Sequence, residues 1–412
     1  MVLCVFSVVL CVTLPSPMHP SDLHFLLSPA GQTWLQQLDE PITPHNHLQI
    51  AQQLRQQLPP NRAHAVLETV LLRQKAAVKF SRAREMYFLR EALEQASGEE
   101  IAAYRAQRFA QLVPRTLADL GCGIGGDALA LGQIAPVIGV EQDEVRLAMA
   151  RQNVAVYGGQ LWPLCADLTT LPPLAADALF FDPARRDETG RRIYSVHDYM
   201  PPLSLVDVWR QKVAATAVKI SPGVHYDELP ADAEVEFISV NGELKEAVLW
   251  FGGLRTAVQR RATLLPSGNT LTNSPTPLDI AITPPQGVLY EPDPAVIRAH
   301  LVQELAAQLG ATMIDAEIAY LTAVSPQPTP FARCYTIEAT FPFQLKQLRH
   351  YLRQHQIGNV TIKKRGSPLE PDTLKKQLRL RGPHHRMIIL TQAQGQPIVL
   401  IGQPMQAPSV TS

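Results

Sequence analysis

The sequence predicts an α/β fold built on a parallel, doubly wound sheet, with a helical region before it and a small α+β unit after it. Three patterns predict this arrangement. Residues 20 to about 112 carry apolar residues at three- and four-residue steps, which indicates four or five helices. From residue 115, short β-rich runs alternate with helical runs, which is typical of a parallel sheet. A second set of strands and helices follows a Pro-rich stretch at residues 265–295.

The elements of the sheet region follow one another in chain order. The strand candidates are RTLADLG, PVIGVE, LWPLCAD, DALFFD and ATAVKIS, and helix candidates such as DEVRLAMARQNVAVYG lie between them. Asn241-Gly242 then joins two further strands, and this dipeptide is the strongest short-range hairpin signal. The hairpin predicts that the last strand runs antiparallel.

Length and composition limit the possible architectures. The chain has 412 residues, more than one core usually spans, so we expect several domains. It is 46% hydrophobic and 18% charged, and its 37 Lys and Arg residues balance its 37 Asp and Glu residues, so net charge excludes no class of partner. The expected divisions are a helical region at 18–114, a sheet domain at 115–264, a Pro-rich connector at 265–295, an α+β domain at 296–402 and a tail at 403–412.

Residues 1–17 form an apolar run that is too short to span a bilayer. The run also lacks the positively charged start and the small-residue cleavage site of a signal peptide. We expect translation to begin at Met18, with residues 1–17 outside the fold; an amino terminus at Val2 or Leu3 in purified protein would refute this. No other long apolar stretch exists, so the sequence predicts a cytoplasmic protein.

The cysteines form no metal-binding or disulfide pattern. They are scattered and odd in number, without a C-x-x-C pair: Cys4, Cys11, Cys122, Cys165 and Cys334. The close histidine pairs have no nearby Cys or acid set, so we expect no metal site.

A glycine-rich loop, DLGCGIGG, follows the first strand of the sheet and precedes a helix. Its glycines let the backbone turn sharply and approach a ligand, and the helix behind it offers free N–H groups. The spacing D-x-G-x-G-x-G differs from the G-x-G-x-x-G of nicotinamide and flavin sites, and Asp119 would repel a pyrophosphate. Asp119, Glu141 and Asp167 each stand at the end of a successive strand, which suits an adenosine with a positively charged tail.

Over residues 115–253 the chain resembles the class I S-adenosylmethionine-dependent methyltransferases, which have a Rossmann-like sheet. The resemblance rests on DLGCGIGG, GVEQD, CADL, FFDPAR and the terminal hairpin. It implies S-adenosylmethionine as the cofactor. The glycine loop and Asp119 would hold the methionine part, Glu141 the ribose, and Asp167 with Leu168 the adenine. The implied loop glycines are Gly121, Gly123 and Gly125.

The fourth strand ends in FFDPAR, at the point of such a sheet where ligands bind. Amino-directed methyltransferases usually carry Asp or Asn, two prolines and an aromatic residue there. Asp182 and Pro183 match this pattern, but the stacking aromatic is absent. Arg185 could stack on a base or pair with a phosphate instead. The resemblance therefore implies transfer to a base amino nitrogen, with Asp182, Pro183 and Arg185 in the catalytic site.

Ribose 2′-O-methyl transfer is the alternative. Enzymes of that kind carry a Lys-Asp-Lys-Glu set, which Lys79, Asp182, Lys219 and Glu246 resemble. A lysine between two acids could lower the pKa of a hydroxyl or act as a base. An ordinary surface ion pair between Lys219 and Glu246 on edge strands, without a catalytic role, explains these two residues equally well. Pyrimidine C5-methylation needs a cysteine nucleophile near or after the fourth strand. The only cysteine after Cys165 is Cys334, which lies in the other domain, so we set this chemistry aside.

The segment before the glycine loop is loosely similar to the helical lead-in of RNA cap trimethylguanosine synthases. The matching residues are Lys79, Phe80, Tyr87 and Phe88. An amphipathic core stripe explains the same residues equally well.

Positive charge is concentrated near the C-terminus. Eleven Lys and Arg residues lie between Leu345 and Arg386, against the acids Glu370 and Asp372. The stretch GNVTIKKRGSPLEPDTLKKQLRLRG resembles the THUMP-like C-terminal domain of a bacterial methyltransferase family, and THUMP domains bind structured RNA. The resemblance implies tRNA or rRNA as the partner. The candidate RNA-binding residues are Lys363, Lys364, Arg365, Lys375, Lys376, Arg379 and Arg381.

Two other functions fit the same sequence. A small-molecule methyltransferase would leave the basic C-terminal unit as a solvated face. A non-catalytic RNA-binding protein could retain the methyltransferase fold, although the intact glycine loop disfavours it. The sequence leaves the oligomeric state open.

Overall fold

A computed structural model describes residues 18–38, 40–171, 174–183, 195, 199 and 201–405. The chain divides into two compact units. The first is Met1–Ala233 with Val248–Thr256, and the second is Glu234–Ala247 with Ala257–Ser412. The predicted extension 1–17 and Arg185 lie outside the described residues. No helix in the described ranges is long and apolar enough to cross a membrane.

The N-terminal part of the first unit is helical, as predicted. Its described residues form six α-helices rather than four or five: α1 (Pro20–Leu27), α2 (Pro29–Gln37), α3 (His47–Gln57), α4 (Pro60–Ala76), α5 (Arg90–Gln95) and α6 (Glu99–Ala110). Proline stands at the start of α1, α2 and α4, where its missing N–H costs no hydrogen bond. Ser28 ends α1 and also caps α2, accepting a hydrogen bond from the Gly31 N–H at 3.3 Å.

The rest of the first unit is the predicted doubly wound sheet. Its elements are β1 (Leu117–Leu120), α7 (Ala128–Leu131), β2 (Val137–Glu141), α8 (Glu144–Val156), β3 (Leu161–Cys165), β4 (Ala178–Phe181), α9 (Leu205–Arg210), β5 (Thr216–Ile220) and the end of β7 (Glu243–Trp250). The strands lie in the order β3-β2-β1-β4-β5-β7. The pairs from β3 to β5 are all parallel. Because β1 and β4 are parallel neighbours, the glycine loop, which follows β1, lies beside Asp182, which follows β4.

Aromatic side chains fill the core beneath this edge. Phe180 on β4 is 1% exposed and Trp250 on β7 is fully buried. The Phe109 ring lies 6.4 Å from that of Phe180 and 6.1 Å from that of Trp250, both edge to face. Helix α6 is thereby fixed against the strands, so the N-terminal helices form part of the sheet's packing.

In the second unit, β6 (Glu234–Val240), the start of β7, β8 (Arg260–Leu265) and β9 (Asn269–Thr272) lie in the order β7-β6-β8-β9. Asn241 and Gly242 have φ of 52° and 80°, the left-handed values that a two-residue hairpin turn requires. This connection makes β7 antiparallel to β6, as predicted, because only antiparallel strands can be joined so briefly.

The second unit also contains a seven-stranded sheet in the order β11-β12-β10-β13-β16-β15-β14. Its elements are β10 (Val288–Pro292), α10 (Pro294–Arg298), α11 (Val302–Leu309), β11 (Thr312–Met313), β12 (Leu321–Ala323), β13 (Ala332–Pro342), α12 (Leu345–Gln354), β14 (Ile357–Lys364), α13 (Pro371–Leu378), β15 (His384–Ala393) and β16 (Gln396–Pro404). From residue 332 onward the chain forms both strands and helices, as expected of the predicted α+β domain. Leu348 and Leu352 of α12 and Leu374 and Leu378 of α13 join one apolar cluster with β14.

The Pro-rich stretch 265–295 differs from the simple connector that we expected. It contains β9 and β10, and β10 pairs with β12 and β13 inside the sheet. Val288, Leu289 and Tyr290 are buried and form the ladder, whereas Pro292 stands at the end of the strand. A short buried strand is therefore difficult to predict from the sequence when prolines lie close to both of its ends.

Candidate active site

The glycine loop joins β1 to α7 in the first unit. Gly121, Gly123 and Gly125 all have positive φ, at 75°, 53° and 86°. A Cβ on Gly125 would lie 3.1 Å from the Cα of Ala150 on α8, and one on Gly121 would lie 3.2 Å from the Asp182 carbonyl oxygen. A Cβ on Gly123 would meet nothing within 4 Å. Gly125 and Gly121 thus allow close packing, while Gly123 borders open space that a ligand could occupy.

Asp119, near the end of β1, is the most unusual group of the site. Its side chain is 1% exposed; the Ala128 backbone N–H lies near enough to lower its pKa, but neither carboxylate oxygen has a hydrogen-bond partner of ordinary geometry among the described residues. Burial, and then the negative charge of Asp182, raises the pKa of Asp119 to about 7, against the opposing charges of Arg105 and Lys219. A buried carboxylate without a partner is costly, and a cationic ligand would relieve that cost.

Glu141 ends β2 and is bound to backbone groups. Its Oε2 accepts from the Gly123 N–H at 3.0 Å, and its Oε1 accepts from the N–H groups of Gln142 and Asp143 at 2.9 and 3.1 Å. Burial raises its pKa, although the backbone N–H groups oppose that shift. A carboxylate has about four acceptor positions, so one remains for a ligand hydroxyl. Glu141 therefore also holds the glycine loop in place.

Asp167 and Leu168 follow β3. Asp167 is partly exposed, and its Oδ1 accepts from the backbone N–H and the hydroxyl of Thr169, both at 2.8 Å. Leu168 is 7% exposed, and its Cδ1 would lie 3.9 Å from a Cβ on Gly121. The end of β3 therefore borders the glycine loop.

Asp182 follows β4 and pairs with Lys219 of β5. Lys219 Nζ lies 2.6 Å from Asp182 Oδ2 and 3.0 Å from the Ser97 hydroxyl oxygen. The Lys219 side chain is 3% exposed and that of Asp182 is 21% exposed. The structure thus brings Lys219 and Asp182 of the candidate Lys-Asp-Lys-Glu set into contact, and the Asp182 carboxylate remains partly exposed. Pro183 is buried, and Arg185 lies outside the described residues.

Other sequence candidates have different surroundings. Lys79 Nζ donates to the carbonyl oxygens of Leu93, Glu94 and Ala96 at 2.7, 3.2 and 3.1 Å. Glu246 is 2% exposed on β7 and belongs to the second unit.

The aromatic candidates of the N-terminal region belong to its core. Phe80 and Phe88 are each 1% exposed with their rings 5.8 Å apart, and Tyr87 is 5% exposed. Burial raises the pKa of the Cys122 thiol well above its usual value, which suits a packing residue better than a nucleophile.

Sequence reasoning missed a set of buried polar residues around the site. Arg105 pairs with Asp127, and the Ser97 hydroxyl donates to Asp127 Oδ2 at 3.2 Å. Asn153 of α8 is fully buried and pairs with both backbone groups of Tyr87. These partners lie 22 to 66 residues apart along the chain, and no local pattern signals them.

The predicted basic residues of the second unit divide into two groups. Lys363 pairs with Glu291 and the Tyr335 hydroxyl, Lys364 pairs with Glu370, and Arg365 donates to the Ala319 carbonyl oxygen and lies over the Tyr320 ring. The remaining four are exposed on α13 and just after it, and none makes an ion pair with a described residue: Lys375, Lys376, Arg379 and Arg381. The described part of the chain contains no group of three His, Cys, Asp or Glu side chains that could hold a metal ion.

The sheet order and the acidic strand ends fit a nucleotide-type site for a ligand with a positive charge. Known proteins agree with that class. The chain is 35% identical over 345 residues to an uncharacterized S-adenosylmethionine-dependent methyltransferase of Mycobacterium tuberculosis strain CDC 1551 / Oshkosh, and equally to that of strain ATCC 25618 / H37Rv. Each match covers 81% of this chain and 93% of the relative. The chain belongs to this family of S-adenosylmethionine-dependent methyltransferases, which confirms the predicted enzyme class and cofactor.

Comparison with solved structures supports the fold. A crystal structure of a proposed methyltransferase from Porphyromonas gingivalis W83 matches with a TM-score of 0.71 and 19% identity, over 89% of this chain and 100% of that chain. The profile of a THUMP domain-like family matches residues 332–404, and that of a domain of unknown function, DUF8688, matches residues 19–76. The predicted fold class and the THUMP-like resemblance are confirmed.

Proposed function

We propose that this methyltransferase transfers the methyl group to a base amino nitrogen in RNA. The observation that carries the proposal is the partly exposed Asp182 carboxylate, held by Lys219 beside the glycine loop. A second observation that supports the proposal is the exposed basic helix α13 in the THUMP-like part of the chain.

The cofactor site follows from the fit of its residues. Asp119 has the burial and the unsatisfied oxygens to bind the ammonium group of the methionine part. Glu141 has an acceptor position left for a ribose hydroxyl, and Asp167 with Leu168 borders the adenine end. Gly123 lets the loop backbone approach the ligand because no side chain intervenes.

Asp182 is the group that acts on the acceptor. S-adenosylmethionine, when bound, supplies an electrophilic methyl group. Asp182 accepts a hydrogen bond from the acceptor amine, orients its lone pair and takes the proton as the nitrogen–carbon bond forms and the carbon–sulfur bond breaks. The buried Pro183 restricts the backbone at the position directly after Asp182.

Ribose 2′-O-transfer is the second candidate, because the Lys219–Asp182 contact also fits a Lys-Asp-Lys-Glu set. In that set Lys219, the lysine between two acids, would lower the pKa of the ribose hydroxyl or act as the base, and Lys79 would be the first lysine. Lys79 instead binds three carbonyl oxygens, which favours a structural role and hence the amino nitrogen.

The RNA surface that we propose is α13 with the residues just after it. Exposed Lys and Arg side chains bind a phosphate backbone through charge and counterion release. Lys363, Lys364 and Arg365 would contribute less, because acids or carbonyl groups of the same unit already bind them. The cytoplasmic location stays a prediction.

The test is methyl transfer from labelled S-adenosylmethionine to tRNA and rRNA from cells that lack the protein, followed by nucleoside mass spectrometry. An N-methylated base supports the proposal, and a 2′-O-methylated ribose supports the second candidate. No labelling of RNA, together with labelling of small metabolites, would point to a small-molecule enzyme. Cofactor binding without any transfer would point to a non-catalytic RNA-binding protein.

A further inference from the structure

The turn between α5 and α6 reaches into the site from the N-terminal region. Ser97 is 5% exposed, and its hydroxyl oxygen lies between two ion pairs. On one side, Lys219 Nζ, which also contacts Asp182, donates to it at 3.0 Å. On the other side, the hydroxyl group donates to Asp127 Oδ2 at 3.2 Å, and Asp127 pairs with Arg105.

The donor and the acceptor of each hydrogen bond from Lys219 through Ser97 to Asp127 follow from the chemistry of the three groups. An ammonium group can only donate and an ionised carboxylate can only accept. The Ser97 proton must therefore point to Asp127, which leaves its oxygen lone pairs for Lys219. Because the Ser97 hydroxyl group has one proton, only one orientation lets it donate to Asp127 while its lone pairs accept from Lys219. That orientation limits the positions in which the Lys219 ammonium group can lie.

Two further contacts hold Ser97 in place. Lys79 Nζ binds the carbonyl oxygens of Leu93 and Glu94 at the end of α5 and that of Ala96, the residue before Ser97. A Cβ on Gly126 would lie 3.2 Å from the Ala96 Cβ and 3.4 Å from the Ser97 carbonyl oxygen. The turn is thus packed directly against the end of the glycine loop.

We infer that Ser97 is a positioning residue for methyl transfer: its hydroxyl group fixes Lys219 on one oxygen of Asp182 and so leaves the other oxygen for the acceptor. Lys79 has the same role one step further away, since it holds the turn that carries Ser97. The N-terminal helical region then completes the active site. This inference rests on the proposed role of Asp182 and extends it to residues outside the sheet.

A comparison of Ser97→Ala with Ser97→Thr tests the inference, because threonine keeps the hydroxyl group. Thr69→Val is the matched control, since it removes a buried hydroxyl that donates to the Ala65 carbonyl oxygen within α4, at 2.7 Å. The rate at saturating cofactor and RNA should fall about tenfold in Ser97→Ala, the usual effect of losing a hydrogen bond to a charged group. The KM for S-adenosylmethionine should change by less than about threefold. Ser97→Thr should restore most of the rate.

Crystal structures of the wild type and Ser97→Ala with S-adenosylhomocysteine provide a readout that needs no RNA. Lys219 Nζ should leave its position beside Asp182 Oδ2 in the variant. An unchanged Lys219–Asp182 pair, or a Ser97→Ala enzyme with the wild-type rate, would overturn the inference. If the wild type methylates no RNA, the proposed function fails, and the crystal structures alone decide the role of Ser97.

Discussion

The charged groups of the glycine-loop region and of helix α13 are arranged in opposite ways. Around the glycine loop, Asp119, Asp127 and Lys219 are nearly or fully buried and, apart from Asp119, already paired with described residues. On α13, Lys375 and Lys376 are exposed and make no ion pair with a described residue. Charges of the first kind act over short distances on a bound ligand, whereas those of the second kind act on a large, highly charged partner.

Because the two groups of charges differ in this way, substitutions in each group should affect a different step. Changes in the buried set should alter cofactor binding or transfer and be insensitive to salt, because salt screens buried pairs weakly. Changes on α13 should alter RNA affinity and its salt dependence. Four predictions test this separation, in order of expected effect.

Replacing Asp182 with Ala should reduce methyl transfer about 100-fold or more, because the group that orients and deprotonates the acceptor is lost. Calorimetry should show that S-adenosylhomocysteine still binds. Asp207→Ala, which removes an exposed carboxylate of α9, is the control and should keep its rate. Full activity in Asp182→Ala would show that the site assignment is wrong.

Asp119→Asn should weaken binding of S-adenosylhomocysteine about 30-fold, the effect of replacing a charge-assisted hydrogen bond by a neutral one in a buried site. Titration calorimetry measures the change, with Asp207→Asn as the control. An unaltered Kd would mean that Asp119 does not hold the ammonium group.

The pH dependence of binding provides a third test. The pKa of Asp119 is raised to about 7, so the carboxylate that binds an ammonium group is lost as pH falls below that value. The affinity for S-adenosylhomocysteine should therefore be about tenfold lower at pH 6 than at pH 8. The Asp119→Asn protein should show a flat profile over this window, and the same slope in both proteins would exclude Asp119 as its origin.

The double variant Lys375→Ala/Lys376→Ala should bind RNA about threefold to tenfold more weakly, with a reduced slope of log Kd against log salt. Binding of S-adenosylhomocysteine should not change. Arg55→Ala/Lys212→Ala removes two exposed positive charges from the first unit and is the matched control. Equal losses in both double variants would indicate a general charge effect rather than a specific surface.

The sequence predicted the doubly wound sheet well because its strands are short, apolar and separated by clear turn signals. Asp119, Glu141 and Asp182 could be placed for the same reason, since parallel strands bring their carboxyl ends to one edge. Strands β8 to β12 were not predicted. Several are short, and prolines surround β10, so tertiary pairing rather than local pattern determines them.

The supporting residues could not be predicted because their partners are distant along the chain. Ser97 and Lys219 are 122 residues apart, and nothing near Ser97 marks it as part of a site. In the same way, Lys363 and Lys364 look like free positive charges in the sequence. Only the fold shows that Glu291 and Glu370 neutralise them.

Nucleoside mass spectrometry of RNA from three strains shows whether Asp182 directs methylation of RNA: a deletion strain, the same strain with the wild-type protein, and the same strain with Asp182→Ala. We expect one N-methylated nucleoside to disappear on deletion, to return with the wild-type protein and to stay absent with the variant. Identical nucleoside profiles in the deletion strain and the wild-type complemented strain would contradict it.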